Sequence, residues 1–447
     1  MNKSLIIQAY IYCGLSRGSL IASVSTVTIK MYSQSCFYPF DLTKPIISTI
    51  SVSVLVGSAL GSFIASPIIK KLGRRKTLII FSLIQVVSEM FTFIPVNWIY
   101  LSIFRIIAGI ASNFTLTSVP MLCAEFLEPI QRGAIGSVLN IAISSGIVIT
   151  NVIQYFICLN YKLYWIIMLL PVLSSLLTFI ISFKLLEINQ NIGIVQQTEK
   201  LFQYKYIKCF LVAIGLGFLI SGTGINPALQ YSTIIFKNSF DNIRSSSIGS
   251  IISTGINLIA SIIALPIIRR FKRKSLLSFG FSFMFITYVL YFISQAPYIS
   301  SKLGNTLVLV ATCLLSLAYS TSAGPLFYIV SSEVFPLEIK TQMMVFVMLI
   351  SWTSLIVLTF IFPIISLTQN IIIYVVLVLM MFIDLIGLLP ETKGQTLQEN
   401  SIKMILQKKI KQQNDEQNDD DVERGKQIQP STCIQTENCS NSVFVSQ

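Results

Sequence analysis

Histidine does not occur in this chain. Imidazole acid–base chemistry and the usual zinc ligand sets are therefore excluded. Charge is scarce as well. Asp, Glu, Lys and Arg make up 11% of the residues, where a soluble globular domain carries roughly 25%. Such a chain keeps much of its length where charge is expensive, in hydrocarbon. The eight cysteines, at 13, 36, 123, 158, 209, 313, 433 and 439, include no Cys-x-x-Cys pair. Most fall inside apolar runs, where a thiol packs as a small apolar group, so no disulfide framework is expected. No Gly-x-x-x-x-Gly-Lys-Ser/Thr loop is present, which leaves ATP-driven work without a phosphate cradle. The reading that remains is a non-enzyme without metal, nucleotide or redox cofactor.

What is present is apolar length. Apolar residues make up 53% of the chain and mean hydropathy is +0.75. Twelve runs of spanning length lie between residues 5 and 389. About twenty residues at 1.5 Å rise cross a hydrocarbon core of roughly 30 Å. The first run lacks the small-residue cleavage pattern of a signal peptide and is expected to span. The net charge of +13 is sited between runs. One knot is Lys70, Lys71, Arg74, Arg75 and Lys76; another is Arg269, Arg270, Lys272, Arg273 and Lys274. Alternate loops hold only scattered cations such as Lys44, Lys162 and Lys302. Basic loops stay in the cytoplasm, so both termini are expected there, and the partner is a lipid bilayer rather than nucleic acid.

The chain divides accordingly. Residues 1–186 form a first six-helix half, 187–206 a short cytoplasmic link, and 207–394 a second six-helix half. Residues 395–447 are rich in Gln, Asn and Asp without apolar periodicity, and are expected to form a disordered cytoplasmic tail. The halves echo each other. Lys70-Lys71-Leu72-Gly73-Arg74-Arg75 is answered by Arg269-Arg270-Phe271-Lys272-Arg273-Lys274. Glu125 precedes Arg132 by the same interval that separates Glu333 from Lys340. Parallel repeats of this kind fit a rocking transporter.

Three motifs carry a resemblance. Gly324-Pro325-Leu326-Phe327-Tyr328 runs on to Glu333-Val334-Phe335-Pro336. Leu389-Pro390-Glu391-Thr392-Lys393-Gly394 ends the last apolar run. Arg105, Gly109, Pro120, Glu125, Pro129, Arg132 and Gly133 form the third. In this order and spacing they resemble the sugar porter family of the major facilitator superfamily. The resemblance implies an all-α membrane protein of twelve transmembrane helices in two pseudo-symmetric six-helix halves. It implies facilitated diffusion of a monosaccharide, a hexose such as glucose, by alternating access in the plasma membrane. It places substrate-binding groups at Asn140, Asn226, Tyr231, Asn257, Tyr328 (usually Trp in the family) and Trp352. A hydroxylated substrate needs donors and acceptors together, which amides provide, and a stacking face. It also makes Glu125, Arg132, Glu333 and Lys340 gate residues, an ion-pair latch between halves.

The departures bear on mechanism. Ile220 and Ser221 replace a pair of glutamines, Ser320 replaces an acid, and Leu355 replaces an amide. Ser16 stands where proton-coupled members carry an Asp, although its Arg partner is retained as Arg105. Arg17 adds a second cation, and Glu89 is a mid-span acid on the third run. An intramembrane carboxylate is a functional candidate by default. Two other readings therefore stay open: a proton–sugar symporter using Glu89, and a transport-dead sugar sensor signalling through its tail.

Overall fold

The computed structural model describes residues 3–24, 43–94, 96–126, 129–159, 165–185, 206–240, 243–336 and 339–393. The expected link, save Tyr206, and the expected tail lie outside the described residues, as do the side chains of 123–137. The first series of helices is α1 (Lys3–Ala22), α2 (Lys44–Leu72), α3 (Arg74–Phe91), α4 (Trp98–Phe126), α5 (Pro129–Leu159) and α6 (Trp165–Lys184). The second is α7 (Ile207–Ser221), α8 (Ile225–Gln230), α9 (Ser232–Ser239), α10 (Ile243–Arg270), α11 (Arg273–Ser294), α12 (Ser301–Thr321), α13 (Ala323–Glu333), α14 (Lys340–Ile361) and α15 (Leu367–Leu388). Eleven segments among the described residues are long and apolar enough to cross a membrane. The twelfth, α3, falls outside that set because it carries Arg74, Arg75, Lys76 and Glu89; its 18 residues still reach about 27 Å.

Packing repeats where sequence only hinted. In the first series α1 packs on α5 and α6, α2 on α4, and α3 on α4 and α6. In the second, α7 packs on α14 and α15, α10 on α12, and α11 on α12 and α15. Counted by spans, each pair recurs six spans later. The two series meet through α5 against α10 and α2 against α14, and these contacts too are each other's counterpart.

Surface and interior are reversed relative to a soluble protein. Phe63, Met90, Phe183, Phe279 and Ile383 are exposed on the outside, as lipid-facing groups should be. Serine and threonine crowd the inside. Many are satisfied by their own helices: Ser51 donates to the Ile47 carbonyl at 2.7 Å and Thr150 to that of Gly146 at 2.7 Å. Small residues also let helices touch. A Cβ on Gly18 would run into the Ile143 carbonyl, and one on Gly146 would come within 2.6 Å of the Leu15 carbonyl. The backbones of α1 and α5 are therefore in direct contact, which sets Ser16 and Arg17 relative to α5.

Two spans expected to be continuous are broken. The seventh stops at Gly222-Thr223-Gly224, where Gly224 takes φ +70°, a left-handed conformation open to glycine. The freed carbonyls are taken up locally. Tyr288 donates its hydroxyl to Thr223 O at 2.5 Å, and Asn226 Nδ2 donates to Ile220 O at 2.9 Å. The tenth span breaks at Ser322 and restarts as α13 with Pro325 in its first turn, where the missing N–H costs nothing.

Candidate functional site

Along α5, Asn140, Ser144, Asn151 and Gln154 recur at spacings of four, seven and three, which puts them on one face. That face meets the second series through a seam of hydrogen bonds. Asn140 Nδ2 donates to Ser261 Oγ at 3.3 Å, Ser144 Oγ to Asn257 Oδ1 at 3.0 Å, Asn151 Nδ2 to Thr254 Oγ1 at 3.3 Å, and Gln154 Nε2 to Thr233 Oγ1 at 3.0 Å. The seam runs from the middle of α5 to the end away from the chain termini. Gln230 adds a bond to the Ser51 carbonyl at 3.4 Å. Val24, Ile47, Ile50 and Leu101 of the first series join the apolar core of the second. The face away from the termini is closed.

The expected sugar-binding residues fall into three groups. Asn140 and Asn257 lie in the seam; Asn257 is buried and also donates to Ser320 at 2.8 Å, so it joins α5, α10 and α12. Tyr231 is fully buried within the closure rather than open to the gap. Its ring stacks on Phe362 with centroids 5.6 Å apart, and its hydroxyl donates to the Thr359 carbonyl at 3.3 Å. Asn226 is half-buried at the break in the seventh span and bonds Ile220 and Tyr319, while Tyr328 and Trp352 lie opposite Arg17 of the first half. Tyr328 keeps 57% of its surface open although it sits mid-span, and it lies within electrostatic range of Arg17 from the other half. The Arg17 guanidinium sits 5.7 Å over the Trp352 ring.

The three expected coupling residues are separated. Glu89 is buried with neutral partners: Gln85 Nε2 donates to Oε1 at 2.9 Å, Ser175 Oγ to Oε2 at 2.7 Å, and Ser16 also bonds it. The same Gln85 amide nitrogen donates to Ser16 Oγ at 2.5 Å. Arg105 stands nearer the closed face, donating to the carbonyls of Ile50 and Leu20 at 3.2 Å and to Ser23 Oγ at 3.0 Å. It acts on Glu89 as a more distant charge. Arg17 is held by Ser58 and Ser112.

At the terminus-bearing rim, the expected gate acid Glu333 pairs with Arg273 at 3.3 Å and accepts from Thr392 at 2.7 Å. Lys340 lies within its electrostatic range. Glu391 caps the start of α11, accepting from the backbone N–H of Arg273 at 2.9 Å and of Lys274 at 3.2 Å. Lys393 closes the end of α10 through the carbonyls of Arg269 and Arg270, both at 2.8 Å. The Pro-Glu-Thr-Lys segment thus straps the ends of α10, α11 and α13 together. This ion pair lies within the second half. The side chains of Glu125 and Arg132 lie outside the described residues.

Sequence reasoning missed Ser144, Asn151, Gln154, Thr254 and Ser261. Their signal was the helical spacing of polar residues on α5 and α10. It also passed over Gln85, whose amide organises Ser16 and Glu89; nothing in a single sequence marks that contact.

Residues 14–187 and 186–403 match the family described as Sugar (and other) transporter. Hexose transporter 1 of Plasmodium yoelii yoelii is 24% identical over 407 residues, covering 78% of this chain and 80% of that one. Facilitated trehalose transporter Tret1 of Bombyx mori is 23% identical over 438 residues, covering 88% and 84%. Among solved structures, a D-xylose-proton symporter superposes with a TM-score of 0.73 at 20% identity, covering 89% of this chain and 100% of that one.

Proposed function

The chain belongs to the sugar porter family of membrane transporters, and from that membership we propose that it passes a monosaccharide, a hexose, across the plasma membrane by alternating access and facilitated diffusion. The observation that carries the reading is the one-sided seam. Two packed series are joined on the face away from the termini by bonds between neutral amides and hydroxyls, at about 0.5–1.5 kcal/mol each. Such a set is strong enough to close a face and weak enough to open again. At its inner end stand the groups a hydroxylated ring requires: Asn140 and Asn226 as donor–acceptors, Tyr328 and Trp352 as flat apolar faces.

The test is uptake of labelled glucose into vesicles. Asn226→Ala and Tyr328→Ala are each expected to weaken transport by about 1–3 kcal/mol in apparent affinity or rate while surface levels hold. Unchanged kinetics in both variants would place the pocket elsewhere. Orientation follows from the basic knots, since Lys71–Lys76 and Arg269–Lys274 sit on the face that carries the termini. Proteases added to intact cells are expected to spare both knots; cleavage there would invert the topology.

A further inference from the structure

Arg17 is a cation between the halves with no counter-ion among the described residues. It is only 4% exposed. Nη1 donates to Ser58 Oγ at 2.7 Å and to Ser112 Oγ at 2.8 Å, two neutral acceptors that aim the group. Nε and Nη2 have no partner among the described residues, and neither is a fully enclosed orphan. The titratable groups that act on Arg17 are Tyr328 and Cys13, both uncharged near neutral pH. Every carboxylate whose side chain is described lies elsewhere. Glu89 lies in its own cluster, on which Arg17 does not act. Glu333 and Glu391 are at the rim. Asp384 packs on Gly215 of α7. Glu125 follows Ser112 by thirteen residues on α4, which is about 20 Å along a helix.

A lone guanidinium inside a bilayer is costly, and its contact with Trp352 recovers only part of that cost. The free edge, Nε with Nη2, is the pair of parallel donors that grips a carboxylate with two hydrogen bonds. We propose that Arg17 receives a carboxylate borne by the transported sugar, so that the site prefers a singly charged monosaccharide of the hexuronate kind to the neutral hexose. This rests on the sugar-transport reading above and names its substrate class. One cation matches one carboxylate; a phosphate brings nearly two charges.

The experiment uses the full chain in proteoliposomes, with labelled D-glucose, D-glucuronate and D-glucose 6-phosphate compared by counterflow. Glucuronate is expected to half-saturate at a concentration at least about tenfold below glucose, the size of one charge-assisted pair. Its influx should rise under an inside-positive potential, because one negative charge moves inward with each molecule. Arg17→Gln should lower the glucuronate-to-glucose preference by roughly 10- to 100-fold, and Arg17→Lys, which keeps charge but loses the fork, should retain part of it. Should Arg17→Gln fail to reach the membrane, the selectivity and potential dependence of the unaltered protein decide. Glucose transported with glucuronate ignored, or an Arg17→Gln preference equal to wild type, overturns this inference and leaves the sugar reading standing. A preference for glucose 6-phosphate over glucuronate also overturns it. Transport of none of the three removes the sugar reading, and this inference with it.

Discussion

Joining residue 151 to residue 254 is expected to stop net sugar uptake. In the structure the Asn151 amide donates to the Thr254 hydroxyl at 3.3 Å, between α5 and α10 and toward the closed face. Alternating access requires this contact to separate when that face opens. A protein carrying Asn151→Cys and Thr254→Cys, treated with a short bifunctional thiol reagent, should fall by more than about tenfold in uptake, because a covalent tie removes the open state from the equilibrium instead of merely biasing it. A reductant that cleaves the tie should restore transport. The control pair is Thr92→Cys with Met168→Cys, whose side chains meet at 4.0 Å within the first half and outside the seam. That tie travels with the half as it rocks, so uptake should survive. The same reagent on wild type shows what the native cysteines contribute. Full cross-linking at 151 and 254 with undiminished uptake would mean that the halves do not part along this seam.

The seam also shows which parts of the structure a single sequence reveals. Span number was legible because apolar length is written locally and because basic knots such as Arg269–Lys274 punctuate it. The breaks at Gly224 and Ser322 were not read. The seventh run stays apolar straight through Gly222-Thr223-Gly224, so hydropathy sees no interruption; what ends α7 is the positive φ at Gly224 and the side chains of Tyr288 and Asn226 that take the released carbonyls. Asn226 lies just past the break, but Tyr288 comes from a different helix that local pattern does not connect to it.

The site was legible by type and less so by role. Asn257 and Asn140 stand out as amides in apolar runs, yet their partners Ser144, Ser261 and Ser320 look like ordinary membrane serines until the halves are packed together. Tyr231 reads like Tyr328, an aromatic hydroxyl in a span. Packing separates them: one ring is stacked on Phe362 in the closure and the other is open to the gap. Glu333 shows the same limit. Its spacing to Lys340 marks a repeat, but its bonds to Arg273 and Thr392 join segments almost sixty residues away on either side and make it part of a strap within one half.

A proton gradient is expected to leave the distribution of a neutral sugar unchanged. Proton-driven accumulation needs a group that binds a proton in one state and releases it in the other. Ser16 has no such chemistry, which leaves Glu89 as the carboxylate to consider among the described residues of the first half. Its surroundings hold it in one place. The Gln85 amide nitrogen serves Ser16 and Glu89 at once, at 2.5 and 2.9 Å, while its carbonyl oxygen accepts from Thr115 at 3.5 Å. The other carboxylate oxygen is met by the Ser175 hydroxyl. The Ser175 hydroxyl also reaches the Val172 carbonyl at 3.0 Å, so these contacts hold the carboxyl in place in either protonation state. Glu89 is 1% exposed, on the side of α3 that packs into its own half, so rocking the halves apart does not by itself bring water to it. Labelled glucose in proteoliposomes under an imposed inward proton gradient should therefore only equilibrate, and its net direction should reverse with the glucose gradient. Accumulation above the external concentration, lost in Glu89→Gln while equilibrium exchange persists, would show that the carboxylate carries a proton across and would replace facilitated diffusion with symport.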